Sequence, residues 1–326
     1  VALNLWLGLQ FFLWVRFYER GGQGLSVPRP AGAEGWLPIA GLMNSKLFLA
    51  TGSVPTIHPA AMFLFMAFCA MSLIAKKSFC SWLCPVGTLS EHLAQMGRAL
   101  FGRTFRLPRR VDVPLRGIKY LLLGFFLVII GGMSATMLDE FMQTPYGLLA
   151  DVKMLNFFRH MSFTAVVVVG VLILLSFVVE GVWCRYVCPY GALMGLLSLL
   201  SPLKIRREAS LCSGCGHCAK VCPAALAVDK LVQIRSVECT ACMACVAACP
   251  AEGALRFSLP GAQTNAPLPR YRRAATPAGF VVLLGVLFFG FILVARATNH
   301  WQTPIPASVY QRLIPESDQL SHPGMK

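Results

Sequence analysis

Two runs of cysteine share one pattern: Cys212-x-x-Cys215-x-x-Cys218-x-x-x-Cys222-Pro223 and Cys239-x-x-Cys242-x-x-Cys245-x-x-x-Cys249-Pro250. Thiolates spaced this way wrap one face of an iron–sulfur cubane, and the proline then turns the chain away. In the two-cluster form of this spacing, the fourth Cys of each run ligates the other run's cluster. One [4Fe–4S] cluster is therefore expected on Cys212, Cys215, Cys218 and Cys249, and a second on Cys239, Cys242, Cys245 and Cys222. Zinc knuckles or disulfides are the plainer alternatives. A structural zinc site needs only four ligands and rarely carries the x-x-x-Cys-Pro ending.

A second pattern also occurs twice. Phe79-Cys80-Ser81-Trp82-Leu83-Cys84-Pro85-Val86-Gly87 matches Trp183-Cys184-Arg185-Tyr186-Val187-Cys188-Pro189-Tyr190-Gly191. Cysteines at i and i+4 share one face of a helical turn, and the proline suits the first turn of a following helix. Two such pairs related by a two-fold axis would present Cys80, Cys84, Cys184 and Cys188 to one point. Four soft thiolates there suit iron, an iron–sulfur centre, zinc or Cu(I). The alternative is two reduced pairs without metal, or a disulfide. Phe79, Trp82, Trp183 and Tyr186 could seal the site, although aromatics belong at any membrane interface. Cys69 stands apart in an apolar run and reads as a small buried hydrophobe.

These groups need elements to carry them. The 326 residues are 56% hydrophobic and only 13% charged, half the charge of a soluble domain. The composition is that of a membrane protein. The net charge of +15 comes with no nucleic-acid motif, so nucleic acid is excluded as a partner and membrane lipid is expected. Apolar stretches at 1–17, 60–75, 117–138, 162–179 and 277–295 predict about five transmembrane helices. Gly124, Gly131, Gly132 and Ala135 place small residues along the third, which suits close helix contact. Each Cys-x-x-x-Cys-Pro copy follows the second helix of a hairpin, so the hairpins read as duplicated units. The chain opens at Val1 within an apolar run, without Met or a cleavage pattern, which suggests a segment of a longer polypeptide.

Basic residues set the expected orientation. Lys76, Lys77, Arg98, Arg103, Arg106, Arg109, Arg110, Arg116 and Lys119 follow the second helix; Lys204, Arg206, Arg207, Arg270, Arg272 and Arg273 flank the 212–250 runs. Both segments should face the cytoplasm. The expected fold is a membrane all-α protein with an inserted bacterial-type 2[4Fe–4S] ferredoxin α+β domain. The expected organisation is a membrane domain over 1–205, a cytoplasmic ferredoxin-like domain over 206–260, a linker and fifth helix over 261–298, and an outer-face polar tail over 299–326. A multi-pass protein of the bacterial inner membrane is implied.

The double cysteine-proline motif, the hairpins and the double ferredoxin run together resemble the NapH/NosR-type membrane polyferredoxins, over roughly residues 58–257. The resemblance implies an electron carrier that draws on the quinol pool and serves a partner reductase. A more distant resemblance, through the insert and Cys184-Arg185-Tyr186-Val187-Cys188-Pro189-Tyr190, is to the CcoG-type oxidase assembly factors, which implies copper handling. The Val86-Gly87-Thr88 continuation looks more like the NosR side. A metal reductase or assembly factor and a redox-sensing regulator are the competing functions.

No nucleophile–base triad, phosphate loop or dinucleotide fingerprint is present, so the chemistry belongs to the cofactors. His58, His160 and His300 fall near the expected outer face and form a candidate metal, haem or quinol site. Single histidines at helix ends are more often interfacial. Asp139 and Glu140 could take protons from a quinol, or be a solvated pair. Lys220 could tune the first cluster, or be a surface lysine.

Overall fold

The computed structural model describes residues 2–102, 105, 107–259, 277–320 and 322–323. The expected linker 261–276, with Arg270, Arg272 and Arg273, lies outside the described residues, as do Arg103 and Arg106. The chain begins with α1 (Ala2–Glu19), α2 (Pro38–Thr51) and α3 (Pro59–Ala75), then α4 (Ser78–Trp82) and α5 (Pro85–Phe101). Next come α6 (Arg109–Gly132), α7 (Ala135–Gln143), α8 (Pro145–Leu148), α9 (Ala150–Arg159) and α10 (Phe163–Val178). A wide π turn at Trp183–Val187 leads into α11 (Pro189–Leu197). The insert holds β1 (Lys204–Arg207), α12 (His217–Lys220), α13 (Ala244–Ala247) and β2 (Leu255–Ser258), and α14 (Pro277–Ala297) and α15 (Ala307–Leu313) follow.

Helices form at all five expected spans, but they are not equal. α6 and α14 are each long and apolar enough to cross a membrane, and α9 with α10 makes a third only as one span bent by 79°. α3 is apolar but has only 17 residues. α1 is interrupted by Asn4, Gln10, Arg16 and Glu19. Leu121, Val128, Leu174 and Val286 are exposed on α6, α10 and α14, as a lipid-facing surface requires. Gly124, Gly131 and Gly132 have open space where a Cβ would stand. The expected close helix contact is therefore not made there.

The chain divides into two compact units, residues 1–67, 125–169 and 289–326 against 68–124 and 170–288. The division falls within α3, α6, α10 and α14. In the first unit, Phe11, Trp14, Val15, Leu149, Val152, Tyr310 and Ile314 form one core, and Leu37, Met43, Ile130, Leu138 and Met142 another. The Lys46 ammonium donates to the carbonyls of Ile130, Gly131 and Met133. It closes the C-terminus of α6, where orphan carbonyls and the helix dipole favour a cation.

The second unit holds the insert and both cysteine-proline motifs. β1 and β2 pair antiparallel, Lys204 opposite Ser258 and Arg207 opposite Leu255. This ribbon brackets the two ferredoxin runs. Lys76, Lys77 and Lys119, expected on the cytoplasmic side, are buried, at 0%, 2% and 1% exposure. They are interior cations with partners: Lys76 donates to the Ser236 carbonyl and Lys119 pairs with Glu238.

Candidate iron–sulfur and thiol sites

The two ferredoxin runs repeat one backbone device. Gly214 (φ 71°) and Gly216 (φ 67°) are left-handed in the first run, and Ala241 (φ 51°) and Met243 (φ 60°) stand at the matching places in the second. This conformation aims the following amides back at the cysteine sulfur. The Gly214 amide, then the Arg207 side chain, holds the Cys212 thiol below its usual range, and the His217 amide does so first for Cys215. The Ala241 amide makes the same bond to Cys239, but burial dominates and pushes that thiol up to about 11. Burial also pushes Cys245 up to about 12. Amide donors to thiolate sulfur are among the levers that tune iron–sulfur potentials.

The fold assembles thiols across the runs. Cys212, Cys215, Cys218 and Cys249 line one concavity, with Arg207 and Asp229 at its wall. Cys222 stands instead within the electrostatic reach of Cys239, Cys242 and Cys245. The first set is the more open: Cys215 is exposed, whereas Cys222, Cys239 and Cys245 are buried.

The cysteine-proline motifs form a matched pair. Cys84 and Cys188 are extended residues (ψ 116° and 106°) that cap α5 and α11, each with proline at the first helical position. Cys188 Sγ accepts the Gly191 amide at 3.2 Å, whereas Cys84 makes no side-chain cap bond. A Cβ on Gly87 would lie 2.0 Å from the Cys80 carbonyl oxygen. Glycine at 87 is therefore a steric requirement of its own turn, whereas at Gly191 the matching Cys184 oxygen would stand 3.5 Å away. Cys184 senses Cys80, Cys188 and Cys84, so the four thiols share one neighbourhood. Burial pushes Cys80 up to about 12 and Cys184 higher still. Thiols this reluctant to ionise bind strongly only where a metal or a cation offsets their charge. Lys77 supplies a cation: burial works against its charge, but Cys80, Glu238, Cys184 and Cys188 outweigh it. Among the described residues, no three His, Cys, Asp or Glu side chains converge tightly enough for one bare metal ion.

Of the motif aromatics, Phe79 and Tyr186 are buried, whereas Trp82 and Trp183 are partly exposed. Phe79 stacks on Phe68 with centroids 4.0 Å apart, and Trp82 meets Phe280 edge-on. Tyr186 donates to Asp112 at 2.7 Å, and Arg185 Nε and Nη2 donate to the same carboxylate. Neither spacing nor composition points to this Asp112 hub, nor to the Lys119–Glu238 pair at 2.6 Å. An ionisable residue inside an apolar span, such as Lys119, was the available signal.

His58, His160 and His300 do not act as one group. His58 is fully buried in the first unit; its Nδ1 faces Glu34 at 3.2 Å and its Nε2 faces the Gly147 carbonyl at 3.0 Å. His160 is largely exposed, 4.0 Å from Asp318, and among the described residues the buried Nδ1 of His300 has no hydrogen-bond partner. With both ring nitrogens of His58 engaged by acceptors, no lone pair remains for a metal. Glu34 also receives Arg29 at 2.8 Å and Thr303 at 2.8 Å, and Arg29 reaches Asp151 at 2.6 Å. Two cations and two anions thus balance in the interior. Asp139 accepts from Gln143 on its own helix and Glu140 is exposed, as solvated residues are. Lys220 is exposed as well.

Comparison with known proteins places these features. A 4Fe-4S binding domain family matches residues 57–108 and 161–208, covering both cysteine-proline motifs, and a 4Fe-4S dicluster domain family matches 204–250. The chain is 50% identical over 324 residues to the putative electron transport protein YccM of Escherichia coli, covering 99% of this chain and 89% of that one. The chain belongs to the NapH/NosR-type membrane polyferredoxins. The ferredoxin-type protein NapH of E. coli is 29% identical, over 47% of this chain and 49% of its own. The regulatory protein NosR of Pseudomonas aeruginosa is 32% identical, over 49% of this chain and 22% of its own. No solved structure matches significantly. The polyferredoxin is a membrane protein that binds [4Fe–4S] clusters and transfers electrons.

Proposed function

We propose that this polyferredoxin moves electrons between the quinol pool and a partner redox protein at the bacterial inner membrane, with its ferredoxin insert in the cytoplasm. Cys212, Cys215, Cys218 and Cys249 would hold one [4Fe–4S] cluster, and Cys239, Cys242, Cys245 and Cys222 the other. Cys80, Cys84, Cys184 and Cys188 would hold a further iron or iron–sulfur centre. The clusters supply one-electron chemistry when bound. The protein's own part is to fix the thiols, aim amides at sulfur and keep water from the buried set. The observation that carries this reading is the exchange of fourth cysteines, Cys249 into the 212–218 concavity and Cys222 toward the 239–245 run.

Removing those cysteines tests it. Cys222→Ala should abolish the spectroscopic signal of the cluster built on the 239–245 run, and Cys249→Ala that of the 212–218 run. If each variant instead loses the cluster of its own run, the crossed ligand sets are wrong. In liposomes, quinol should reduce the remaining clusters; clusters reducible by dithionite but never by quinol would place the electron source elsewhere. Stoichiometric copper lost in Cys80→Ser would favour a metal-handling role.

A further inference from the structure

The cysteine-proline motifs do more than present thiols. Ser81 and Arg185 occupy the same place in their two copies, directly after the first cysteine. Ser81 Oγ donates to the Thr240 carbonyl at 2.7 Å, and the next residue, Trp82, donates through Nε1 to the Ala241 carbonyl at 3.1 Å. Thr240 and Ala241 lie between Cys239 and Cys242. Arg185 Nη1 donates to the carbonyl of Ala224, two residues beyond Cys222, at 3.3 Å. The two copies thus grip two separated chain segments, and both segments belong to the same thiol set.

The neighbouring contacts agree. Lys76 Nζ donates to the Ser236 carbonyl at 3.3 Å, and Lys119 pairs with Glu238, the residue before Cys239. A Cβ on Gly195 of α11 would stand 2.9 Å from the Val237 carbonyl oxygen, so α11 needs glycine to approach this loop. Residues 236–241 are therefore engaged at 236, 237, 238, 240 and 241. Among the described residues, no hydrogen bond joins either motif to residues 212–218; the Cys212 amide bonds to the nearby Ala209 carbonyl.

We infer that Ser81, Trp82 and Arg185 are positioning residues that seat the Cys222/Cys239/Cys242/Cys245 set on the paired Cys-x-x-x-Cys-Pro motifs, making it the motif-proximal set and leaving the Cys212/Cys215/Cys218/Cys249 set distal. This rests on the ligand sets of the proposed function. Backbone carbonyls buried against a membrane domain must be satisfied, and here the motif side chains satisfy those that flank the ligands of one set.

The test is iron release to a chelator from the anaerobically purified full chain, with the two clusters followed separately by EPR. The Ser81→Ala/Trp82→Phe variant removes both donors and keeps the Trp82 ring contact with Phe280. It should start with unchanged iron content, then lose the motif-proximal cluster about tenfold faster, as two missing hydrogen bonds imply, with the distal cluster unchanged. Equal acceleration at both clusters, acceleration of the distal one alone, or no change would overturn the inference. Should the variant purify without the proximal cluster, Trp82→Phe alone gives the same comparison. Failure of the ligand assignment is read separately, from Cys222→Ala and Cys249→Ala. An absent third centre in the unmodified protein would remove the four-thiol reading, while the release rates still decide the seating.

Discussion

Glycine and its substitutes show how much chemistry one backbone angle carries. Gly214 and Ala241 are equivalent left-handed positions. A left-handed non-glycine residue costs about 1–2 kcal/mol, and the second run already bears that cost at Ala241 and Met243. Gly214 has open space where its Cβ would be. Gly214→Ala should therefore keep its full complement of iron and lose only about 1–2 kcal/mol of stability. Gly87→Ala is different in kind, because its Cβ would overlap the Cys80 carbonyl. That variant should lose the ordered Cys80–Cys84 turn and any iron held there. Iron per chain after anaerobic purification separates the two; equal losses would mean the turn geometry is not what selects glycine at 87. The spacing of the cysteines was legible in the sequence because ligand geometry imposes it directly. The buried partners Glu34, Asp112 and Glu238 were not, since a carboxylate far away in sequence shows no spacing at all.

At the scale of elements, the Arg29–Glu34–His58–Asp151 network ties the segment before α2, the head of α3 and the start of α9 within the first unit. Burial opposes the charge of Glu34, but Arg29 and then His58 outweigh it and hold its carboxyl down to about 2. Burial likewise opposes the proton on His58, and the Glu34 contact outweighs it, so its pKa is raised. The signs differ. The Glu34 contribution is present above its unfolded value of about 4.3 and is lost on acidification toward its folded value. The His58 contribution is complete below about 6.5 and is lost as pH rises through its raised folded value. Thermal stability of the full chain in detergent should therefore fall as the solution is made alkaline from about pH 6.5. His58→Gln should flatten that limb and lower the plateau. An alkaline limb of the same slope in His58→Gln would assign the effect to another group. The five apolar helices were legible by their composition. The 79° bend between α9 and α10 was not, because a change of helix direction leaves no mark on apolar composition.

On the scale of the whole molecule, the arrangement suits conduction. Two thiol sets of the ferredoxin type lie in the unit that also holds the duplicated cysteine-proline motifs. The buried set contacts those motifs, and the open set includes an exposed cysteine. The central claim is that these thiols hold iron–sulfur clusters beside a separate four-thiol centre. Iron analysis with redox-titrated EPR on anaerobically purified protein tests it most directly. Two [4Fe–4S] clusters give about eight irons per chain, with further iron that disappears in Cys80→Ser and Cys184→Ser and no stoichiometric copper. Correctly folded protein that is colourless and free of iron would contradict the account.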